Sequence, residues 1–540
     1  MTFAARATVM HFMAKSIVVY SDGTGQDGGV RPEQRVSNVY KMYRSSRVHP
    51  DNPIDPAEQV CFYDPGLGTD SDASGLTGIR RRLVKLLQSV TGRGITKNMA
   101  DCYEFIINHY KEGDRIYLIG FSRGAYTVRC LANTIMLCGI PTKSGNGPIL
   151  RYRKQVHDIA REAVETVYEH GAGHARGDYE TERDEQARRF RAKYGSNFVG
   201  EDADKDRSNA AAYFVGVFDT VAALGASGMR RFLIQVGLTL LFAVVASLAS
   251  AVLAIVPSLI AKYYFNFGFW WSELAIGAAL VVLSVLWFLY WQRAQYTKTI
   301  YDFPNKGDKR SHQAEWKSDN FDRLLSMYVG TARSANAIDE RRKDFDRVTW
   351  GQKDSKQLSQ WWFVGNHSDI GGSYPETESR LSDISLQWML EEILQLDHPI
   401  KFGPITVNGE AVAGMNATGT PLHLYPDATS MQHCEIAGTR DTIDAFMVRL
   451  PRILRGCLAN ANYETIKRSI LPQAKIHPTV KERFALELII DCAGDKVGKY
   501  RPEALRKHDD FKQFYPDPPP ADVPRPGKSE DPALPAQLPP

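Results

Sequence analysis

The 540-residue chain holds only seven cysteines, at Cys61, Cys102, Cys130, Cys138, Cys434, Cys457 and Cys492, and no two form a CxxC pair. With no histidine at ligand spacing beside them, a zinc ribbon and a disulfide framework are excluded and a reducing compartment is expected. An excess of one charge is equally lacking. The 66 Lys and Arg against 62 Asp and Glu leave +4, too little to attract nucleic acid, so no nucleic-acid partner is expected. The first fifteen residues contain no continuous apolar run, which predicts no Sec-type export signal. No internal repeat is present. What remains, 43% hydrophobic and 24% charged residues, is a globular composition, and it excludes a mostly disordered, collagen-like or coiled-coil chain.

Charge is missing altogether from two long stretches. Phe232 to Ala261 has no charged residue, and neither does Leu274 to Trp291. A bilayer core needs roughly 20 apolar residues per helix, so the pair predicts a transmembrane hairpin over 230–292, inserted through residues 232–291. Tyr263, Tyr264, Phe265, Phe267, Trp270 and Trp271 form an aromatic linker between the runs, and Trp287, Tyr290 and Trp291 close the second. Such rings favour the membrane interface. Arg230 and Arg231 precede the hairpin and Arg293, Lys298, Lys306, Lys309 and Arg310 follow it, while the tip offers only Lys262 and Glu273. The positive-inside bias then puts both flanks in the cytoplasm, with the bacterial inner membrane as the expected location. Because two spans return the chain to its starting side, residues 1–229 and 293–510 can form one domain.

Outside the hairpin, short apolar runs alternate with helical stretches. SIVVY at Ser16 to Tyr20, RIYLIG at Arg115 to Gly120, AYFVGVF at Ala212 to Phe218 and QWWFVG at Gln360 to Gly365 read as buried parallel strands. The predicted fold class is α/β, a mostly parallel sheet with helices on both faces, interrupted by the hairpin. A charged helical insertion is expected over about 149–209. The segment 511–540 is read as a disordered tail, since ten of the 28 prolines fall in its last 25 residues.

The chemistry begins at Gly120-Phe121-Ser122-Arg123-Gly124. A strand, a GxSxG and a helix in that order predict a nucleophile elbow, whose sharp turn tolerates only small residues two positions either side of the serine. Ser122 would attack an ester carbonyl, with the Arg123 amide as one oxyanion donor and the turn at Gly23 and Thr24 supplying the other. A serine needs a base, and the base needs an orienting carboxylate. Asp219 follows AYFVGVF and His367 follows QWWFVG, in the chain order Ser, Asp, His of elbow hydrolases. Asp369, two residues after the histidine, is an alternative acid. Two other readings compete: a metal-dependent phosphoesterase with Asp22, Asp219, His367 and Asp369 as ligands, and a catalytically silent membrane scaffold.

Several stretches, SDGTG at Ser21 to Gly25, YDPGLGT at Tyr63 to Thr69, GDRIYLIGFSRGAYTVR at Gly113 to Arg129, FDTVAALG at Phe218 to Gly225, AIDERR at Ala337 to Arg342 and WWFVGNHSDIGGSY at Trp361 to Tyr374, occur in order. Together they resemble the α/β-hydrolase domain of type VI secretion phospholipase effectors of the Tle class. The resemblance implies an α/β-hydrolase fold and a lipid esterase with Ser122 as nucleophile, Asp219 as acid and His367 as base, needing neither metal nor cofactor. Its substrates would be membrane lipids. The hairpin interrupts the resemblance after FDTVAALG.

Overall fold

Side chains of a strand alternate between the two faces of its sheet, and here both faces are buried. In the computed structural model, Ser16–Ser21 (β1), Gln59–Asp64 (β2), Arg115–Phe121 (β3), Ala212–Phe218 (β4), Thr331–Ala337 (β5), Leu358–Phe363 (β6) and Lys475–Ile476 (β7) form one sheet. Its order is β2-β1-β3-β4-β5-β6-β7, and every pairing is parallel. The structure describes residues 14–23, 26, 28, 35–66, 93–200, 206–221, 228–314, 325–342, 345–351, 354–435, 466–490 and 496–516.

On one face Ile17, Val19, Ile116, Leu118, Val215 and Val217 enter a core with the helices that follow β2 and β3. On the other, Val18, Tyr20, Ile119, Phe121, Phe214 and Phe218 meet Val39 and Met42 of α1 (Asn38–Ser46) and Leu386, Met389 and Ile393 of the helix Arg380–Leu394. The first face is covered by α2 (Arg93–His109) and α3 (Arg123–Cys138). Strand β1 sits between the strands that follow it, so the chain reverses its direction of growth between β1 and β3. In open parallel sheets the crevice at such a point, beyond the carboxyl ends of the strands, is where ligands bind.

The expected charged insertion is present, and it packs down rather than standing in solvent. Helix α4 (Lys154–Glu162) runs on through a π-helical turn at Ala163–Tyr168, and α5 (Glu180–Tyr194) follows. Val156, Ile159, Val164, Val167, Tyr168 and Phe190 join the core beneath α2 and α3, and Glu169, Glu182, Arg183 and Arg191 are buried with them.

The two uncharged runs form long helices, α6 (Gly228–Phe265) and α7 (Phe269–Tyr296). They pack against one another, with Phe242 and Phe288 stacked at 4.2 Å. The aromatic linker expected between them is shorter than the sequence reading placed it: only Asn266–Gly268 leave the helices, Asn266 turning at φ 54°. Aromatic residues do not stop a helix, whereas Asn tolerates the left-handed region. By length and composition Val236–Phe265 and Phe269–Tyr296 could each cross a membrane, and their apolar side chains are bare, Leu248 at 70% and Trp270 at 79% exposure.

After α7 a ribbon of Thr297–Tyr301 and Lys309–Gln313 returns to the insertion. Lys298 meets Glu169 at 2.8 Å, Arg310 meets Glu182 at 2.8 Å, and Arg189 donates to the Tyr301 carbonyl at 2.7 Å. Beyond it lie α8 (His367–Gly371), α9 (Arg380–Leu394) and α10 (Pro478–Ala485). Phe511, at the start of the expected tail, is fully buried and contacts Phe484 at 4.5 Å. The tail from 517 onward lies outside the described residues.

Candidate active site

Ser122 follows β3 and stands at the N-cap position of α3, with φ 59° and ψ −123°. A serine in this region is strained by on the order of 1–3 kcal/mol, and its neighbours hold it there. Its amide donates to the Phe218 carbonyl at 3.1 Å, and its carbonyl accepts from Tyr126 and Val221 at 3.3 and 3.4 Å. The flanking glycines are required by space. A Cβ on Gly124 would stand 2.1 Å from the Ser21 carbonyl oxygen, and one on Gly120 would stand 2.6 Å from the Gly124 oxygen. The helix therefore starts hard against the end of β1, leaving Ser122 at the carboxyl edge of the sheet and 5% exposed.

Asp219, immediately after β4, is fully buried and also has a positive φ, 33°. Its Oδ1 accepts from the Ala337 amide at 3.0 Å, and its Oδ2 accepts from His367 Nδ1 at 2.6 Å. Burial alone pushes this carboxyl up, but the charge of Arg468, ahead of the His367 hydrogen bond, overrides it and leaves Asp219 at about 2. An ionised carboxylate can only accept, so Nδ1 carries a proton, and in the neutral imidazole Nε2 keeps the free lone pair. Nε2 is buried and has no hydrogen-bond partner among the described residues. Phe121, the residue before the nucleophile, stacks on the imidazole at 4.7 Å, and Phe345 meets it edge-on at 5.0 Å.

His367 opens α8 after the N-cap Asn366, whose side chain accepts from the Ser368 and Asp369 amides at 2.9 and 3.0 Å. Asp369 completes a capping box by accepting the Asn366 amide at 3.0 Å, and its Oδ1 meets His433 Nδ1 at 2.7 Å. Asp369 is thus committed to the helix start and to His433, and Asp219 is the carboxylate brought to His367.

Asp22 is satisfied by neutral donors: Gly23 N at 2.7 Å, Ser37 Oγ at 2.5 Å and Tyr63 Oη at 2.7 Å. Burial raises its carboxyl to about 6. The proposed ligand set of Asp22, Asp219, His367 and Asp369 is not assembled. Among the described residues no three of them hold ligand atoms within 4.8 Å of one another, each carboxylate being engaged by its own donors.

Of the expected oxyanion donors, Arg123 provides the first amide of α3, in the turn whose N–H groups have no intrahelical carbonyl. Burial holds its guanidinium down at about 10. Gly23 lies beside the nucleophile, since a Cβ there would be 3.2 Å from the Ser122 Cβ, although its amide is engaged by Asp22. Thr24 lies outside the described residues.

Three further residues bracing the histidine escaped the sequence reading. Glu340 Oε2 accepts the His367 amide at 3.2 Å, Asp339 accepts the Gly365 amide at 2.8 Å, and Arg468 donates to Asp219 Oδ2 at 2.9 Å. The first two belong to AIDERR, a visible motif with no assigned task. Arg468 stands in no motif.

The sequence profile described as T6SS, phospholipase effector Tle1-like, catalytic domain matches residues 15–254 and 297–392, more than half of the chain. The gap between the matched segments falls on the end of α6 and on α7. An uncharacterised protein of Saccharomyces cerevisiae is 24% identical over 475 residues, covering 80% of this chain and 64% of the relative. The chain therefore spans a little under two-thirds of that relative's length. Among solved structures, an uncharacterised protein from Pseudomonas aeruginosa aligns with 72% of this chain and 47% of its own, at 15% identity and a TM-score of 0.30. The Tle1 effector bound to the VgrG spike from the type VI secretion system aligns with 68% of this chain and 52% of its own, at 14% identity and a TM-score of 0.26. By the extent of the profile match, the chain belongs to the family of type VI secretion phospholipase effector Tle1-like catalytic domains.

Proposed function

We propose that the protein is a serine esterase of membrane lipids, phospholipase-like, built on an α/β-hydrolase fold and anchored by the α6–α7 hairpin. One observation carries this reading: a strained Ser122 after β3 shares a sheet edge with an Asp219–His367 pair whose Nε2 is buried without a partner. An unpartnered buried nitrogen costs about 1–3 kcal/mol, and a proton acceptor for a serine hydroxyl has that vacant lone pair.

In the reaction, Ser122 Oγ adds to the ester carbonyl as His367 Nε2 takes its proton. The imidazolium so formed is held by Asp219 Oδ2. The carbonyl oxygen becomes an oxyanion facing the Arg123 amide at the start of α3. His367 then returns the proton to the departing alcohol, leaving an acyl ester on Ser122. A water, deprotonated by the same nitrogen, releases the fatty acid.

The hairpin supports a substrate drawn from a bilayer. Gly228, where α6 begins, follows Asp219 by nine residues, so at about 3.5 Å per residue the site lies within ~30 Å of the start of the hairpin. The test is hydrolysis of mixed phospholipid vesicles by the full chain in detergent-free membranes. Release of fatty acid that survives EDTA and vanishes with Ser122→Ala is the expected result, and release unaffected by Ser122→Ala would refute the reading.

A further inference from the structure

Behind Asp219 stands a charge that the reaction as written does not use. Arg468 comes from the segment 466–490, beyond residue 392 where the family match ends. Its side chain is 1% exposed, and its Nη2 donates at 2.9 Å to Asp219 Oδ2, the same oxygen that accepts His367 Nδ1 at 2.6 Å. Its Nε and Nη1 are buried with no hydrogen-bond partner among the described residues.

Two features distinguish this arginine from a structural tie. An arginine that anchors a loop spends its planar fork of five donors on carbonyls and carboxylates. Among the described residues Arg468 has one side-chain bond, to the carboxylate that carries the base. Its burial is also costly for an ion, and is aggravated by a second, half-buried guanidinium. Arg347, lowered to about 10 by burial and then by repulsion from Arg468, lies close enough to feel that charge. A polar or apolar residue would fill the space without this cost, so the positive charge beside Asp219 has a task of its own.

We propose that Arg468 is a positioning residue that keeps Asp219 a fixed, ionised carboxylate and sets the pH at which His367 becomes available as a base. The inference rests on the triad reading of Ser122, Asp219 and His367. Asp219 Oδ1 is tied to the Ala337 amide, so Oδ2 must serve both cations at once. With Arg468 present, part of the carboxylate field is spent on the guanidinium, and the imidazolium gains less by taking a proton. Without it more of the negative charge falls to the imidazole, with Glu340 and Arg347 still facing the pair, so the imidazolium persists to higher pH and the fraction of enzyme with a free Nε2 shrinks at acid and neutral pH. A charge at this range shifts such an equilibrium by about one pH unit or more.

The experiment is the pH dependence of kcat/KM on a soluble ester, measured on the full-length detergent-solubilised protein and on Arg468→Met, Arg468→Gln and Arg468→Lys. Thermal melting and fluorophosphonate labelling at pH 9 serve as checks. In the Met and Gln variants the acid limb should move up by about one unit, with kcat lowered at pH 6 and KM unchanged. In the Lys variant, which keeps the charge, the limb should stay within a few tenths of wild type. A Met or Gln variant that melts as wild type with an unmoved acid limb overturns the proposal. Should both neutral variants fail to fold, an acid limb in the Lys variant displaced by a full unit overturns it equally, because the cation is still there. Failure of the triad reading has a separate signature, labelling or hydrolysis that persists in Ser122→Ala.

Discussion

Two glycines and two aspartates carry most of the argument at the scale of single residues. Gly124 approaches the Ser21 carbonyl so closely that an added methyl would sit 2.1 Å from it, and a backbone atom cannot swing away. Gly124→Ala should therefore destabilise the protein by several kcal/mol, about 3 or more, by forcing β1 and α3 apart. Thermal melting checks this, and Gly177→Ala, where a Cβ would meet nothing within 4 Å and φ is not positive, serves as the open-space comparison. The aspartates separate chemistry from architecture. Asp219→Asn leaves a hydrogen-bonding side chain beside His367 but lets its amide N–H donate to Nδ1, which puts the imidazole proton on Nε2, so kcat should fall by about 10⁴. Asp369→Asn loses the ionised partner of His433 and part of a capping box, which should lower stability by about 1–2 kcal/mol and leave most of the activity. The reverse ranking in a paired assay of activity and melting would reassign the acid.

At the scale of elements, the ribbon after α7 is clamped to the insertion around a knot of histidines. His170 and His312 lie 4.5 Å apart ring to ring, Tyr179 stacks on His312 at 3.9 Å, and both His170 nitrogens are buried without a hydrogen-bond partner among the described residues. Glu182, Lys298, Arg183 and His174 face them. Burial first, and then mutual or neighbouring histidine charge, lowers both imidazoles from 6.5 to about 4. A folded value below the unfolded one means that the unfolded chain binds protons first. Stability from this knot is complete above pH 6.5 and drains as pH falls toward about 4. Protease cutting between 171 and 179 should rise over that window, and His170→Phe should flatten the rise.

The same scale shows how much could be read in advance. Strands β1, β3, β4 and β6 are legible because their runs are apolar on both faces, as SIVVY and RIYLIG are. Strand β5, TARSANA, is just as central but is made of small and polar residues. It is buried because larger neighbours flank it, and no local pattern announces that. Strand β2, at the edge, is half-buried for the same reason. The glycines, the serine, Asp219 and His367 were legible from their places after apolar strands, where the sheet edge collects them. Arg468 was not, since it reaches Asp219 across 249 residues of sequence and lies in a segment without motif or periodicity.

At the scale of the whole molecule, a parallel sheet is joined to a pair of helices that the other described residues leave uncovered. Phe269–Tyr296 has no buried side chains, and helices apolar on every face remain exposed in water only at great cost. The protein should stay with membranes through carbonate and high salt and leave them in detergent. Replacing 228–296 with a Gly/Ser linker should spare hydrolysis of a soluble ester and cut turnover of vesicle lipid by at least tenfold. Equal loss on both substrates would make α6 and α7 part of the catalytic core.

The central claim is that Ser122 is a nucleophile made reactive by His367 and Asp219. The most direct measurement is mass-spectrometric location of the adduct after the full-length protein reacts with a fluorophosphonate. The account predicts one adduct, on Ser122, formed in the presence of EDTA and absent after either Ser122→Ala or His367→Ala. An adduct on another residue, or undiminished labelling in His367→Ala, would contradict it.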